Sequence, residues 1–147
     1  MRFRIEQTSA ATPQQLYEVL LDIEHWPDWM PGVRRSEWEK RGAPGTEVGG
    51  VRRFGAPGLV IREQVLAAQP PGHQSYSIIS GLPVKNHRGD VRIVDQAGGS
   101  QVNWDVAFES RIPLLGRFLR LILESTIRKG ASALAIEAER RAGRVGF

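Results

Sequence analysis

The sequence predicts an α+β fold in which one antiparallel sheet is covered by a single long C-terminal helix. Three observations carry that prediction. Six strand-like runs between residues 33 and 109 are separated by short turns rich in Gly and Pro. Connections of that length join antiparallel neighbours, because a parallel crossover needs about a dozen residues or more. After Ile112-Pro113 no further Gly/Pro cluster appears, and apolar residues follow a helical period to about residue 142. About 30 helical residues span roughly 45 Å, against roughly 33 Å for a ten-residue strand, so this helix can cross the whole sheet. An antiparallel sheet with one apolar face must cover that face, and no other segment is long enough.

The elements follow in order. Arg2–Gln7 alternates, with Phe3 and Ile5 on one side and Arg2, Arg4 and Glu6 on the other, and reads as a half-buried edge strand. Thr12-Pro13 supplies an N-cap and a proline at the first helical position, and Leu16, Val19, Leu20 and Ile23 recur at helical spacing. The segment Glu24–Gly32, EHWPDWMPG, holds two prolines and two tryptophans, so any helix in it is one broken turn. Six strands follow, over Val33–Glu39, Thr46–Phe54, Gly58–Ala67, Gln74–Ser80, Lys85–Val94 and Gln101–Glu109. The final helix carries Leu115, Phe118, Leu119, Ile122, Thr126, Ala133 and Leu134 on its expected inner face, and Gly143–Phe147 reads as a tail.

At 147 residues and 41% hydrophobic, the chain fits one domain, residues 1–147, that needs no disulfide or metal to fold. The absence of cysteine removes thiol nucleophiles, Cys-ligated zinc and iron–sulfur clusters, and no metal or redox cofactor is expected. Met1–Thr8 lacks the apolar run of a signal peptide and no stretch reaches 18 uninterrupted apolar residues, so a cytoplasmic protein is expected. A net charge of +4 invites a nucleic-acid reading until its location is considered. Residues 1–110 hold 12 Lys/Arg against 13 Asp/Glu, while residues 111–147 hold 8 against 3. The excess belongs to one helix, and the strands lack the exposed aromatic platforms of single-strand binders, so no nucleic-acid partner is expected.

Element order and several local pieces carry a resemblance. The run ATPQQLYEVLLDIEHWPDWMPGV (residues 11–33), with REQVLAAQPPG (62–72), HRGDV (87–91) and VNWDV (102–106), resembles the START-like SRPBCC superfamily. Within it the chain is most similar to bacterial polyketide cyclase/dehydrase-type proteins, which share the helix-grip fold of the birch pollen allergen. The resemblance implies a curved seven-stranded sheet gripping the C-terminal helix, two short helices between strands 1 and 2, and a largely apolar cavity for a hydrophobic small molecule or lipid. It does not imply one activity, since such folds serve carriers, receptors and aromatase/cyclases alike.

Strand parity proposes the cavity wall, because residues two apart share a face. The inward sets are Leu59, Ile61, Glu63 and Val65; Tyr76 and Ile78; His87, Gly89, Val91 and Ile93; and Val102, Trp104, Val106 and Phe108. The helix adds Phe118, Ile122 and Thr126. Trp29, with Trp26, either gates the cavity mouth or plugs one end of the sheet. The polar members Glu63, Tyr76, His87 and Thr126 stand out on an otherwise apolar wall. An inward Glu63 must be paired, hydrated or protonated; alternatively a bulge turns it outward toward Arg52 or Arg53. His87 is either structural or a proton shuttle and hydrogen-bond donor.

No G-x-S-x-G, H-E-x-x-H, Walker or G-x-G-x-x-G motif is present. The leading expectation is therefore binding, and transport, of a hydrophobic small molecule. The alternative is a cyclase, aromatase or dehydratase moving protons with His87, Glu63 and Tyr76. The basic residues Arg111, Arg117, Arg120, Arg128, Lys129, Arg140, Arg141 and Arg144 form either a solvated face or a dock for an anionic membrane surface or acidic carrier protein.

Overall fold

The computed structural model describes residues 1–143, so Arg144 and the rest of the expected tail lie outside the described residues. The chain runs β1 (Arg2–Ser9), α1 (Pro13–Leu21), a 3₁₀ turn (Ile23–His25), α2 (Trp26–Trp29), then β2 (Arg35–Lys40), β3 (Val51–Ala56), β4 (Leu59–Gln69), β5 (His73–Ser80), β6 (Val84–Gln96) and β7 (Gly99–Ser110), and ends in α3 (Gly116–Arg141). The seven strands form one antiparallel sheet in the order β1-β7-β6-β5-β4-β3-β2. Six strands follow one another as a meander, and β1 joins beside β7, so β1 and β2 are the two edges. The helical segment between them carries the chain from one edge to the other.

Local chemistry accounts for the element ends. The Thr12 hydroxyl accepts from the Gln15 amide at 3.2 Å while the Gln15 side chain accepts from the Thr12 amide at 2.9 Å, a reciprocal cap on α1 with Pro13 in its first turn. The segment after it is broken as its prolines require, into the 3₁₀ turn and the single turn of α2. The expected strand Thr46–Phe54 is displaced to Val51–Ala56. Glu47 adopts a left-handed backbone, and its carboxylate accepts from the Gly42 amide at 2.9 Å and pairs with Arg41, so residues 46–48 turn, and Gly49 and Gly50 bond to Val65 of β4 before the strand begins.

The helix α3 packs on β1, β7 and α1. Its buried stripe is Leu119, Leu123, Gly130, Ala131, Leu134, Ala135 and Ala138. Of the expected inner face, Leu119 and Leu134 are buried and Leu115 packs half-buried on the core, but Phe118 is 60% exposed and Ile122 46%. The first turns of α3 are apolar most of the way round, so the period admits two phases there. The small residues of the second half decide between them by allowing close approach to the sheet.

Candidate functional site

Between the concave face of the sheet and α3 lies a cavity of about 400 Å³. That is within the range of roughly 300–1,000 Å³ usual for small-molecule pockets. Its walls come from β3 (Arg52, Phe54), β4 (Leu59, Ile61, Glu63), β5 (Tyr76, Ile78), β6 (His87, Val91) and β7 (Trp104, Val106). The helix side supplies Leu123, Thr126, Ile127, Lys129 and Gly130, and the bent connector supplies Trp26, Met30 and Val33. Exposed Leu59, Thr126 and Lys129, with Pro31 and Gly32, mark the mouth.

One end of this cavity is polar. Arg52, 2% exposed, donates from Nε to Glu63 Oε1 at 2.8 Å and from Nη1 to Gln74 Oε1 at 2.9 Å. Its guanidinium lies 4.9 Å from the Tyr76 ring centre and 5.2 Å from that of Trp26, held between cation–π faces. Burial pushes the Glu63 carboxyl above its ordinary value, and the charge and hydrogen bond of Arg52 offset only part of that rise. Trp104 Nε1 donates to the Tyr76 hydroxyl at 2.9 Å. That leaves the hydroxyl proton free to donate, and burial raises the Tyr76 pKa well above its ordinary value. The Tyr76 ring lies across Gly89, where a Cβ would stand 2.2 Å from Cζ.

His87 owes its orientation to an irregularity in β6. The β5–β6 ladder runs from His73/Arg92 to Tyr76/Gly89 and then lapses. The β6–β7 register slips between Lys85 and Arg88, with Asn86 at positive φ. The Ile78 amide, left without a strand partner, donates to His87 Nδ1 at 3.0 Å. Accepting that bond fixes the neutral tautomer, with the ring proton on Nε2. Burial lowers the His87 pKa to about 4. Among the described residues no group of three or more His, Asp or Glu is placed to hold a metal ion, and no helix is long and apolar enough to cross a membrane.

A family model described as polyketide cyclase/dehydrase and lipid transport matches residues 1–139. The chain belongs to that family. Members of the family and of the wider START-like superfamily share its architecture. The Zhui aromatase/cyclase from Streptomyces sp. R1128 superposes with a TM-score of 0.80 at 19% identity, covering 97% of this chain and 95% of that one. A START superfamily protein from Mycobacterium smegmatis gives 0.80 at 17% identity, covering 95% and 98%. Uncharacterised proteins of Mycobacterium tuberculosis and Mycobacterium bovis are 29% identical over 110 residues, which is 71% of this chain and 64% of theirs.

In this polyketide cyclase/dehydrase family chain, the structure brings together Ile61, Glu63, Tyr76, Ile78, His87, Val91, Trp104, Val106 and Thr126 around one cavity. Eight further residues expected there lie elsewhere; of these, Ile93 and Val102 are buried away from the cavity and Gly89 lies under the Tyr76 ring. Val65 and Phe108 point inward but are buried away from the cavity. Phe118 and Ile122 face outward for the helical phase reason already given. Trp29 packs half-buried against the core, and it is Trp26, three residues earlier on the single turn of α2, that lines the wall and anchors its Nε1 on the Leu20 carbonyl at 3.2 Å. Glu63 turns inward and still pairs with Arg52, because Arg52 is inward too.

Arg52 is the polar cavity-wall residue that strand parity missed. The hairpin turn between β3 and β4 places Phe54 opposite Ile61 and Arg52 opposite Glu63. Counting outward from the Gly55-Ala-Pro57 turn would have found it, since cross-strand partners share a face.

Proposed function

We propose that the protein binds a hydrophobic small molecule or lipid bearing a carbonyl-type acceptor, with the acceptor at the Arg52/Tyr76/His87 end and the apolar body along Phe54, Ile61, Ile78, Val106 and Ile127. The observation that carries this reading is that the cavity's polar end is built mainly of fixed donors. The His87 lone pair is engaged by the Ile78 amide, and Glu63 Oε1 is engaged by Arg52. What remains for a ligand is the His87 Nε2–H, the Tyr76 hydroxyl proton and the unpaired N–H groups of Arg52. An array of donors on an apolar wall orients an acceptor group and favours its capture over proton abstraction. Carriage is the corresponding role, and an anionic membrane surface or an acidic carrier protein meets the basic side of α3.

A second reading, a cyclase, aromatase or dehydratase acting on a polyketide-like substrate, draws on the same donors. A carbonyl oxygen held by Arg52 and Tyr76 is polarised toward the enol, and a folded chain in the cavity brings its own carbon atoms together. The base would then be the second carboxylate oxygen of Glu63, which has no hydrogen-bond partner among the described residues, or a group of the substrate.

Native mass spectrometry of the purified protein, with titration of a lipophilic fluorescent probe followed through tryptophan emission, tests the binding reading. A co-extracted hydrophobic ligand, or saturable quenching, is expected. A protein that arrives empty and leaves the probe unbound refutes it. Turnover of a poly-β-ketone mimic by wild type but not by Tyr76→Phe would move the assignment to the second reading.

A further inference from the structure

The first half of α3 carries an exposed apolar strip on its outward face. Phe118, Leu121 and Ile122 are 60%, 65% and 46% exposed. At 3.6 residues per turn they share one face, turned away from the sheet, and that stripe continues into Thr126 and Lys129 at the cavity mouth. Just before the helix, Leu114 is fully exposed and held at a φ of 68°, a left-handed backbone unfavourable for a branched side chain. The charges around this apolar stripe are nearly all of one sign. Between residues 111 and 129 there are five Lys/Arg and one acid, Glu124. Arg117 and Arg120 have no ion-pair partner among the described residues, and Glu124 reaches only Arg128, at 3.8 Å.

We propose that this face docks the protein on an anionic lipid bilayer, with Leu114, Phe118, Leu121 and Ile122 entering the interfacial layer and Arg117 and Arg128, which flank the strip on the Leu121 side, meeting headgroups. An exposed apolar strip bordered by cations is what an interfacial helix presents to such a surface. A second copy of the chain fits poorly, because a two-fold contact would set cation against cation. The position adds a role: α3 forms one lip of the mouth, so a docked molecule opens its cavity at the membrane and a hydrophobic ligand moves between them without crossing water. This inference rests on the cavity being a ligand site.

Sedimentation with vesicles of equal parts phosphatidylglycerol and phosphatidylcholine, against phosphatidylcholine alone, tests it. Binding to the anionic vesicles is expected, weakened by salt. Arg117→Glu/Arg128→Glu and Phe118→Asp/Leu121→Asp should each lower it by about tenfold or more. Circular dichroism should be unchanged, since all four side chains are exposed. No vesicle binding, or binding indifferent to both double variants, overturns the proposal; so does retention on a purified acidic carrier protein in the absence of vesicle binding, which would give the face to that partner. Probe binding measured without vesicles separates the two ideas. Its persistence when vesicle binding fails removes only the dock, and its absence when vesicle binding holds removes only the ligand site.

Discussion

Gly130 offers the sharpest separation between stability and binding. It lies mid-way along α3, is buried, and lines the cavity, yet no atom stands within 4 Å of where its Cβ would be. A glycine inside a helix costs roughly 0.5–1 kcal/mol relative to alanine. Here the added methyl meets open space, so Gly130→Ala should recover about that amount. For a chain of this size the gain corresponds to about 1–4 °C in Tm. Gly130→Leu should keep most of the helix gain while filling part of the 400 Å³ cavity with its own side chain. A methylene-scale misfit in an apolar pocket is worth about 1–3 kcal/mol, so probe affinity should fall at least about tenfold. Thermal unfolding by circular dichroism reads the first effect, and probe titration reads the second. A lower Tm for Gly130→Ala would mean that the space at α3 is not open. A Gly130→Leu protein that folds and binds the probe as wild type does would mean that ligand does not occupy this wall.

Three other perturbations address the polar end. Arg52→Met leaves Glu63 buried without its partner and should cost about 3–5 kcal/mol in urea unfolding, whereas Arg52→Met/Glu63→Leu should regain most of it; the double variant should also lose any preference for a long-chain ketone over the matching alkane, and a double variant as unstable as the single one refutes the pairing argument. Burial holds the His87 pKa at about 4, below its ordinary 6.5. Above pH 6.5 the ring is neutral in both states; as pH falls from about 6.5 to 4 the unfolded chain takes up the proton first, so stability should decline by about 3 kcal/mol across that window and the contribution should level off below it. His87→Gln should lack this component, and equal slopes in the two proteins would remove the burial argument. Gly89→Ala drives a methyl into the Tyr76 ring and should cost about 1–3 kcal/mol while breaking the Trp104–Tyr76 hydrogen bond; an unchanged near-ultraviolet circular dichroism spectrum and unfolding midpoint would contradict it.

Much of the fold was legible because its signals are local. Thr12-Pro13 caps α1, the prolines of EHWPDWMPG break the helix, and each Gly/Pro turn separates two strands that then pair. Period-two parity located Glu63, Tyr76, His87, Val91 and Trp104 on the cavity wall, because a strand has only two faces. It was less informative where more than one phase fits. In α3 the residues Phe118, Leu119, Leu121, Ile122 and Leu123 are all apolar, and only packing against the sheet chooses among them. It also gave no warning of Arg52, since a charge on a strand suggests an outer face unless its cross-strand partner is considered. The role of His87 was hidden for a different reason. The amide it serves is free only because the β5–β6 ladder lapses beyond Tyr76/Gly89, and a lapse in pairing has no single-residue signature.

A buried ion pair is a weak source of stability, and replacing one with well-packed apolar residues is often neutral or stabilising by about 1–4 kcal/mol. The Arg52–Glu63 pair is therefore poorly explained as a structural device. Its surroundings suit another purpose. Glu63 and Gln74 fix two edges of the guanidinium, and Tyr76 and Trp26 hold its faces, so the remaining N–H groups cannot reorient when a ligand enters. Donors held in advance lose little entropy on binding and strengthen in an apolar surrounding. The same holds for His87, whose Nε2 proton is set by a backbone amide and not by pH across the neutral range. The stability given up to burying these groups and the selectivity proposed for an acceptor-bearing ligand have one origin. A polar end that cannot relax distinguishes a carbonyl from a hydrocarbon.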